Sequence, residues 1–271
     1  MPVKPDWYQP NGNESFFGPF YYQGDHSREG FLSSRELSCE ERTLREIDGV
    51  IRLLGLEPSQ GLRILDAPCG YGRHLKEFAR RGYGVAGVDL CPSFVESARG
   101  SLQRADAQAD VQCGELRRLP FPEESFDVIL NLFYSFGFYA DENDNIQSMA
   151  EFARVLRSGG RLLLHTDVNL ARIHSGRYNQ PWQRRLVDGS LLRIFERFDP
   201  ESRRMVGEWV IQNDGSIERR SYSMRIYSRD EFSEMCRKAG LEIEKVFGSF
   251  DPDREEYTDA SEELIFIARK P

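Results

Sequence analysis

The chain has 271 residues, of which 39% are hydrophobic and 12% aromatic, which suits one large domain or one domain with a substantial insertion. Its 36 lysines and arginines against 44 aspartates and glutamates give a net charge of −8, which repels a phosphate polymer and disfavours nucleic acid as a partner. No apolar run reaches the roughly 18 residues that span a bilayer, and the start MPVKPDWYQP has no signal-peptide core, so we expect a cytoplasmic protein without a membrane partner.

The amino-terminal segment 1–33 is rich in aromatic residues that alternate with Pro, Gly and Asn. Their spacing fits neither a helix nor a strand for long. We expect an irregular segment that is either a lid or an outer strap. In the lid hypothesis Tyr21 and Tyr22 fold over a ligand and help to form its pocket.

Helices and strands then alternate along the chain. From Ser34, apolar residues three, four or seven apart predict a helix to Leu54, ended by Gly55. Strands are predicted at 62–67, 83–90, 111–113, 126–133 and 161–166, with helices at 73–81, from Pro92 onward and at 144–157. This order predicts a parallel sheet with helices on both faces.

The pattern changes in the segment 170–227. Three runs alternate with period two and are separated by the turn sequences FDPESR and NDGS. They predict an inserted antiparallel unit that forms either a pocket wall or a dimer interface, so a monomer and a homodimer both stay open. Ser228 begins a helix with a capping box through Glu231. Two closing strands follow, and 34–169 with 228–271 form the predicted core.

The segment 64–73, ILDAPCGYGR, carries the clearest functional signal. Asp66 ends a strand, and Gly70 and Gly72 let the backbone turn tightly before a helix. Ligands bind at the carboxyl ends of strands in open α/β sheets, where this loop lies. Asp89, which ends the next strand, has the geometry to accept hydrogen bonds from two ribose hydroxyls.

Asp66 to Arg73, Asp89, Gly114-Glu115 and Phe126-Asp127, in this order, resemble the motifs of class I S-adenosylmethionine methyltransferases. The resemblance covers about 60–167 of this sequence. It implies a Rossmann-like, seven-stranded, mostly parallel sheet whose last strand is antiparallel, with the inserted unit added. It also implies S-adenosylmethionine as cofactor and S-adenosylhomocysteine as product. The wider layout is similar to bacterial small-molecule methyltransferases, including those that methylate sugar nitrogens.

The resemblance implies roles for individual residues. The Asp66–Gly72 loop would hold the methionine part, Asp89 the ribose, and Glu115 the adenine amino group. Pro68 stands where the family pattern has a glycine, and Glu115 where Asp is common. The implied cofactor residues, with Tyr22 added from the lid hypothesis, are Asp66, Ala67, Pro68, Gly70, Gly72, Asp89, Leu90, Glu115, Leu116, Asn131 and Tyr22.

Methyl transfer is a direct displacement, so the protein must align the acceptor and, where necessary, take a proton. His165 and Asp167 end a strand on the ligand side, and either side chain is a candidate base; a structural histidine is the alternative for His165. We predict His165 and Tyr134 as catalytic residues. The predicted acceptor-binding residues are Tyr21, Tyr139, His174, Tyr178 and Trp182.

We therefore predict methyl transfer to a nitrogen or oxygen of a small molecule, because methylation of a heteroatom asks less of the protein than methylation of carbon. A C-methyltransferase and a cofactor-binding protein without turnover remain alternatives. A nucleotide-dependent oxidoreductase is a third, although Leu75 stands where G-x-G-x-x-G requires its last glycine. Scattered cysteines and histidines predict no disulfide framework and no metal.

Overall fold

The computed structural model describes residues 3–26, 37–176 and 182–271. The helices are α1 (Pro19–Asp25), α2 (Cys39–Leu54), α3 (Arg73–Arg80), α4 (Pro92–Arg104), α5 (Glu142–Val155), α6 (Leu170–His174) and α7 (Arg229–Lys238). The strands are β1 (Arg63–Asp66), β2 (Gly84–Asp89), β3 (Asp110–Cys113), β4 (Phe126–Asn131), β5 (Leu156–Thr166), β6 (Trp182–Arg185), β7 (Leu191–Asp199), β8 (Arg204–Asn213), β9 (Ser216–Arg225), β10 (Glu242–Phe247) and β11 (Leu264–Arg269). No helix within these ranges has both the length and the apolar character needed to cross a bilayer.

The larger sheet has seven strands in the order β10-β11-β5-β4-β1-β2-β3. The strands from β5 to β3 pair in parallel, and β11 is antiparallel to both β5 and β10. This confirms the predicted fold class. The chain winds outward from β1 to β3 and then returns to β4 on the other side of β1. That reversal opens a crevice at the carboxyl ends of β1 and β4, where ligands bind in such sheets.

Alternation along the central strands gives the sheet a hydrophobic core on each face. On β1, Leu65 packs into one core and Ile64 into the other. On β4, Ile129 and Leu130 divide in the same way. Because successive side chains of a strand point to opposite faces, near-continuous apolar runs are what a doubly covered parallel strand requires.

Helix ends follow the local signals in the sequence. Ser38 and Glu41 form a capping box at the start of α2, and Gly55 ends that helix in the left-handed conformation. Ser228 and Glu231 form the predicted capping box of α7. The predicted start of α2 at residue 34 lies outside the described residues.

The smaller sheet is antiparallel, in the order β6-β7-β8-β9. It has one strand more than the three predicted, because β6 pairs with β7 through residues that carry little alternation of their own. The amino-terminal segment was predicted to be irregular but contains α1. Pro19 occupies the first turn of this helix, and its Phe20 is buried in a cluster shared with the smaller sheet.

Two predicted boundaries were wrong. β4 ends at Asn131, two residues early, because Phe133 and Tyr134 both have positive φ, at 56° and 53°. The second error concerns α5 and β5, for which the sequence predicted a helix to residue 157 and a strand from residue 161. In the structure α5 ends at Val155 and β5 begins at the next residue, Leu156. The first departure lies beside the crevice, whereas the second lies at the opposite end of the sheet, where Leu156 pairs with Phe126, the first residue of β4.

Candidate active site

Two cavities adjoin at the carboxyl ends of the central strands. The first cavity encloses, with its opening, about 900 Å³, and the second about 960 Å³. Volumes of this order suit small organic ligands. Residues common to both linings form a shared wall, made of Phe17, Tyr21, Asp25, Phe133, Ser135 and Phe138.

The first cavity is built mainly from the segments that follow successive parallel strands. It is lined after β1 by Pro68, Cys69 and Gly70, after β2 by Leu90, after β3 by Gly114, Glu115 and Leu116, and after β4 by Leu132 and Phe133. Asp89, the last residue of β2, also lines it.

Asp89 organises this cavity through its carboxylate. Its Oδ2 accepts a hydrogen bond from the Gly70 N–H and its Oδ1 one from the Cys91 N–H, both at 2.8 Å. Each carboxylate oxygen retains a lone pair for a further donor. Burial raises the pKa of Asp89 to about 6. An ionised Asp89 can therefore accept from a pair of hydroxyls while it holds the glycine loop in place.

The second cavity lies between the shared wall and the smaller sheet. Beyond the shared wall, its aromatic members come from the amino-terminal segment, from the segment after β4 and from three strands of the smaller sheet: Trp7, Phe16, Tyr134, Trp182, Trp209 and Tyr222. Its charged members beyond the shared wall are Asp167, Arg172, Arg184 and Glu196. Burial raises the pKa of Asp167, which follows β5. A carboxyl group of increased basicity thus faces a largely aromatic chamber.

Known proteins match this architecture. A family model described as a methyltransferase domain matches residues 64–160. Over 243 residues the chain is 28% identical to 27-O-demethylrifamycin SV methyltransferase of Amycolatopsis mediterranei, covering 88% of this chain and 75% of that protein. It is also 34% identical over 115 residues to demethylmenaquinone methyltransferase of Tropheryma whipplei, covering 42% of this chain and 44% of that protein.

Solved structures show the same fold. The CcbJ methyltransferase from Streptomyces caelestis has a TM-score of 0.71 at 19% identity, covering 83% of this chain and 88% of that one. CalS10, an amino pentose methyltransferase from Micromonospora echinaspora solved with S-adenosylmethionine bound, has a TM-score of 0.65 at 20% identity, covering 96% and 100%. The chain is an S-adenosylmethionine-dependent methyltransferase that carries a methyltransferase domain over residues 64–160 and has the class I fold.

The first cavity of this methyltransferase fits its cofactor. Asp89 offers a diol acceptor, and the Asp66 carboxyl behind the loop is 2% exposed, with no hydrogen-bond partner for either oxygen among the described residues. The His74 Nδ1 lies 4.0 Å from the Asp66 Oδ2, but burial lowers the pKa of His74 to about 4, so this ring is neutral at pH 7 and supplies no charge. Burial raises the pKa of Asp66 to about 8. A buried carboxyl without a partner is the kind of group that a bound ammonium or a water bridge satisfies.

The predicted cofactor residues fall into two groups. Those that line the first cavity are Pro68, Gly70, Asp89, Leu90, Glu115 and Leu116. Those that do not line it are Asp66, Ala67, Gly72, Asn131 and Tyr22. The second group lies behind or outside the wall, and two of its members, Gly72 and Asn131, support the site through packing and hydrogen bonds.

Gly72 and Asn131 illustrate this supporting role. A Cβ on Gly72 would lie 2.6 Å from the Ala98 Cβ, so this glycine allows α3 and α4 to approach rather than a ligand. The Asn131 Nδ2 donates to the Ala67 carbonyl at 2.8 Å and to the Ser135 carbonyl at 3.0 Å. Asn131 therefore ties residues 66–72 (the cofactor loop) to the segment after β4.

Helix α1 presents Tyr21 to both cavities and Tyr22 outward. Tyr22 is 42% exposed, and its ring packs edge-on to Tyr71 at 4.8 Å. Asp25, at the end of α1, accepts hydrogen bonds from the Arg42 guanidinium at 3.0 Å and from the Tyr71 hydroxyl. Although burial opposes it, the charge of Arg42 keeps the pKa of Asp25 at about 2. An ionised Asp25 thus fastens α1 to α2 and to the cofactor loop.

The structure argues against both predicted catalytic residues. His165 is completely buried and lines neither cavity. Tyr134 lines the second cavity, but its hydroxyl donates to the Arg225 carbonyl at 2.6 Å. Burial raises the pKa of Tyr134 well above its usual value, so it remains a phenol. The base candidate that reaches the second cavity is Asp167.

The predicted acceptor residues are scattered. Trp182 lines the second cavity and Tyr21 lines both, whereas Tyr139 lines only the first. His174 is exposed and lines neither cavity. Tyr178 lies outside the described residues.

Several lining residues were not singled out from the sequence. Trp209 and Tyr222 could have been found from the sequence, because each is a large aromatic residue within a run that alternates with period two, and both are buried in the structure. Asp25 carried none, since its partners Arg42 and Tyr71 lie far along the chain.

Proposed function

We propose that this methyltransferase transfers a methyl group to a nitrogen or oxygen of a small molecule in the second cavity, with Asp167 as proton acceptor. The observation that carries the proposal is the Asp167 carboxyl, which faces an aromatic chamber across the shared wall from the cofactor cavity. The named relatives support a small acceptor, since one is a 27-O-demethylrifamycin SV methyltransferase and another an amino pentose methyltransferase.

The chain's contribution is to bind, orient and exclude water. Asp89 and the loop through Gly70 hold the cofactor, which when bound supplies a methyl group activated by a sulfonium. The acceptor lies in the second cavity beside the residues that line both cavities, of which Phe17 and Tyr21 limit the access of water. Alignment of two molecules in this way accounts for much of the rate of a displacement.

Asp167 accounts for the proton. Methylation of an amine or hydroxyl leaves one proton to be removed, and a carboxylate whose pKa is raised by burial takes it more readily than an exposed one. The same carboxylate attracts an ammonium group, and aromatic rings such as those of Trp209 and Tyr222 stabilise a cation in their vicinity. Both features favour an amine as the acceptor.

The test is a screen followed by one substitution. Small amines and hydroxylated compounds are incubated with S-adenosylmethionine, formation of S-adenosylhomocysteine is measured, and the methylated atom is identified by NMR. With the best acceptor, Asp167→Asn should lower kcat by about 10²- to 10³-fold, the usual contribution of a positioned base. Binding of S-adenosylmethionine should stay unchanged, because Asp167 does not line the first cavity.

The matched control is Asp214→Asn, which removes an exposed carboxylate from the β8–β9 turn. In the wild type, kcat should fall as pH falls through the pKa of Asp167, because a protonated carboxyl cannot take the proton. Methylation at carbon, or wild-type kcat in Asp167→Asn, would contradict the proposal.

A further inference from the structure

Two consecutive residues, Phe133 of the shared wall and its neighbour Tyr134, adopt a backbone conformation that side chains rarely allow. Phe133 and Tyr134 have φ of 56° and 53°. The left-handed region is unfavourable for both, and such a turn persists only when its surroundings hold it in place. We call residues 133–135 the wall turn. Phe133 and Ser135 line both cavities.

His165 accepts a hydrogen bond from each of the two strained residues. The Phe133 N–H donates to the His165 Nδ1 at 3.2 Å, and the Tyr134 N–H donates to the His165 carbonyl at 2.9 Å. The His165 ring also packs edge-on against the Phe133 ring, with centroids 4.9 Å apart. One buried residue of β5 therefore satisfies both backbone donors at the start of the wall turn.

The hydrogen bond at Nδ1 fixes the tautomer of His165. A nitrogen that accepts carries no proton, so in the neutral ring the proton lies on Nε2. The His165 Nε2 lies 3.6 Å from the Glu263 Oε1, an ion-pair distance that is too long for a hydrogen bond, and it has no hydrogen-bond partner among the described residues. Glu263 in turn is paired with the Arg45 guanidinium at 2.9 Å and accepts the Phe250 N–H at 3.1 Å. The chain Arg45–Glu263–His165 thus runs from α2 to the wall turn.

We propose that His165 is a positioning residue for methyl transfer, which sets the wall turn through its Nδ1 and carbonyl while Glu263 and Arg45 fix its ring. This inference rests on the proposed transfer between the two cavities. Loss of the acceptor at Nδ1 leaves the Phe133 N–H without its partner and allows the wall turn to relax. We expect the loss to affect the alignment of the acceptor with the cofactor, because the two bound molecules meet beside the wall turn.

The test compares three substitutions of His165. Asparagine places an amide oxygen near the position of Nδ1, glutamine places its amide near Nε2, and leucine offers no acceptor. We expect His165→Leu and His165→Gln to lower kcat by about 10- to 100-fold, as misplacement of about 1 Å does. His165→Asn should recover most of that loss. In all three variants, the Kd for S-adenosylmethionine should stay within about threefold of the wild-type value. A loss of kcat without a matching loss of cofactor affinity is a pattern that a merely structural role would not produce.

The comparison of asparagine with glutamine keeps the proposal falsifiable if leucine prevents folding, because both replacements are neutral amides. Equal kcat values in these two variants, or wild-type kcat in a folded His165→Leu, would overturn it.

A second measurement does not depend on turnover. The ¹⁵N shifts of the His165 ring in the wild-type protein should show the proton on Nε2 and a hydrogen-bonded, unprotonated Nδ1. A proton on Nδ1 would overturn the proposal. If no acceptor is methylated by the wild type, the proposed function fails, while this spectrum still tests the positioning chain.

Discussion

The two cavities are built by different means. The first is lined mostly by short segments that directly follow β1, β2, β3 and β4, and its central contacts join Asp89 to backbone N–H groups of Gly70 and Cys91. The second is assembled from the amino-terminal segment, the segments that follow β4 and β5, α6 and the smaller sheet, through side chains distant in sequence. A site made of strand ends can keep its cofactor while a separate set of elements changes the acceptor.

This difference separates two kinds of defect. Changes at the strand ends should weaken binding of S-adenosylmethionine, whereas changes in the contact between α1 and the smaller sheet should act mainly on the acceptor. The shared wall is where the two effects meet.

The largest expected effect is on the affinity of the first cavity for S-adenosylmethionine. Asp89→Ala removes an acceptor for the cofactor and releases the Gly70 and Cys91 N–H groups. Loss of hydrogen bonds to a charged group, about 1.5–3 kcal/mol, should raise the Kd for S-adenosylmethionine by about 10- to 100-fold. Titration calorimetry with S-adenosylmethionine, S-adenosylhomocysteine and NADH measures it, and NADH should not bind.

The control for Asp89→Ala is Asp110→Ala, which removes an exposed aspartate at the start of β3. Wild-type affinity should also fall as pH drops below about 6, because burial raises the pKa of Asp89 to about 6 and protonation removes its negative charge. Undiminished affinity in Asp89→Ala would break the assignment of the first cavity.

An intermediate effect tests the acceptor side. A Cβ on Gly24 of α1 would lie 2.6 Å from the Trp209 ring, so Gly24→Leu must displace α1 from the smaller sheet. We expect the acceptor KM to rise by about tenfold, with a smaller change in the Kd for S-adenosylmethionine, since about 1.4 kcal/mol corresponds to one decade. In the control Gly100→Ala, the Cβ meets only the flexible end of Arg104, at 3.3 Å.

If Gly24→Leu weakened binding of the acceptor and of S-adenosylmethionine equally, α1 would serve the two cavities alike, and the two cavities would not respond separately to changes in α1. Steady-state kinetics with calorimetry on the same preparation separates these outcomes.

The smallest expected effect concerns the contact between α1 and the cofactor loop. Tyr71→Phe removes the hydrogen bond from the cofactor loop to Asp25 of α1, leaving Arg42 as a partner of that carboxylate. A typical intramolecular hydrogen bond contributes about 0.5–1.5 kcal/mol, so the Kd for S-adenosylmethionine should rise by roughly twofold to tenfold.

The control for this variant is Tyr83→Phe, whose hydroxyl donates to the Leu56 carbonyl at 3.0 Å and whose ring lines neither cavity. Thermal unfolding should shift similarly in both variants, and only Tyr71→Phe should bind the cofactor more weakly. Equal affinities would remove the proposed link between α1 and the cofactor loop.

Sequence reasoning succeeded where local rules govern structure. The sheet follows from alternating apolar runs, and the α7 capping box from Ser228 and Glu231. It was less accurate where contacts are long-range. α1 is a short helix buried against the smaller sheet, and β6 gains its pairing from β7. The predicted roles of His165 and Tyr134 assumed that strand-end polar groups face the ligand, whereas both are engaged by backbone partners.

The sequence by itself determined the class of protein and the position of the glycine loop after β1, because glycines and an acidic strand end act within a few residues of one another. Only the tertiary structure decided which side chains meet in the second cavity and which are supports behind it. The choice between Asp167 and His165 is of this kind. His165 lies in β5 and Asp167 is the first residue after that strand, yet the surrounding elements place Asp167 in the lining of the second cavity and enclose His165 completely.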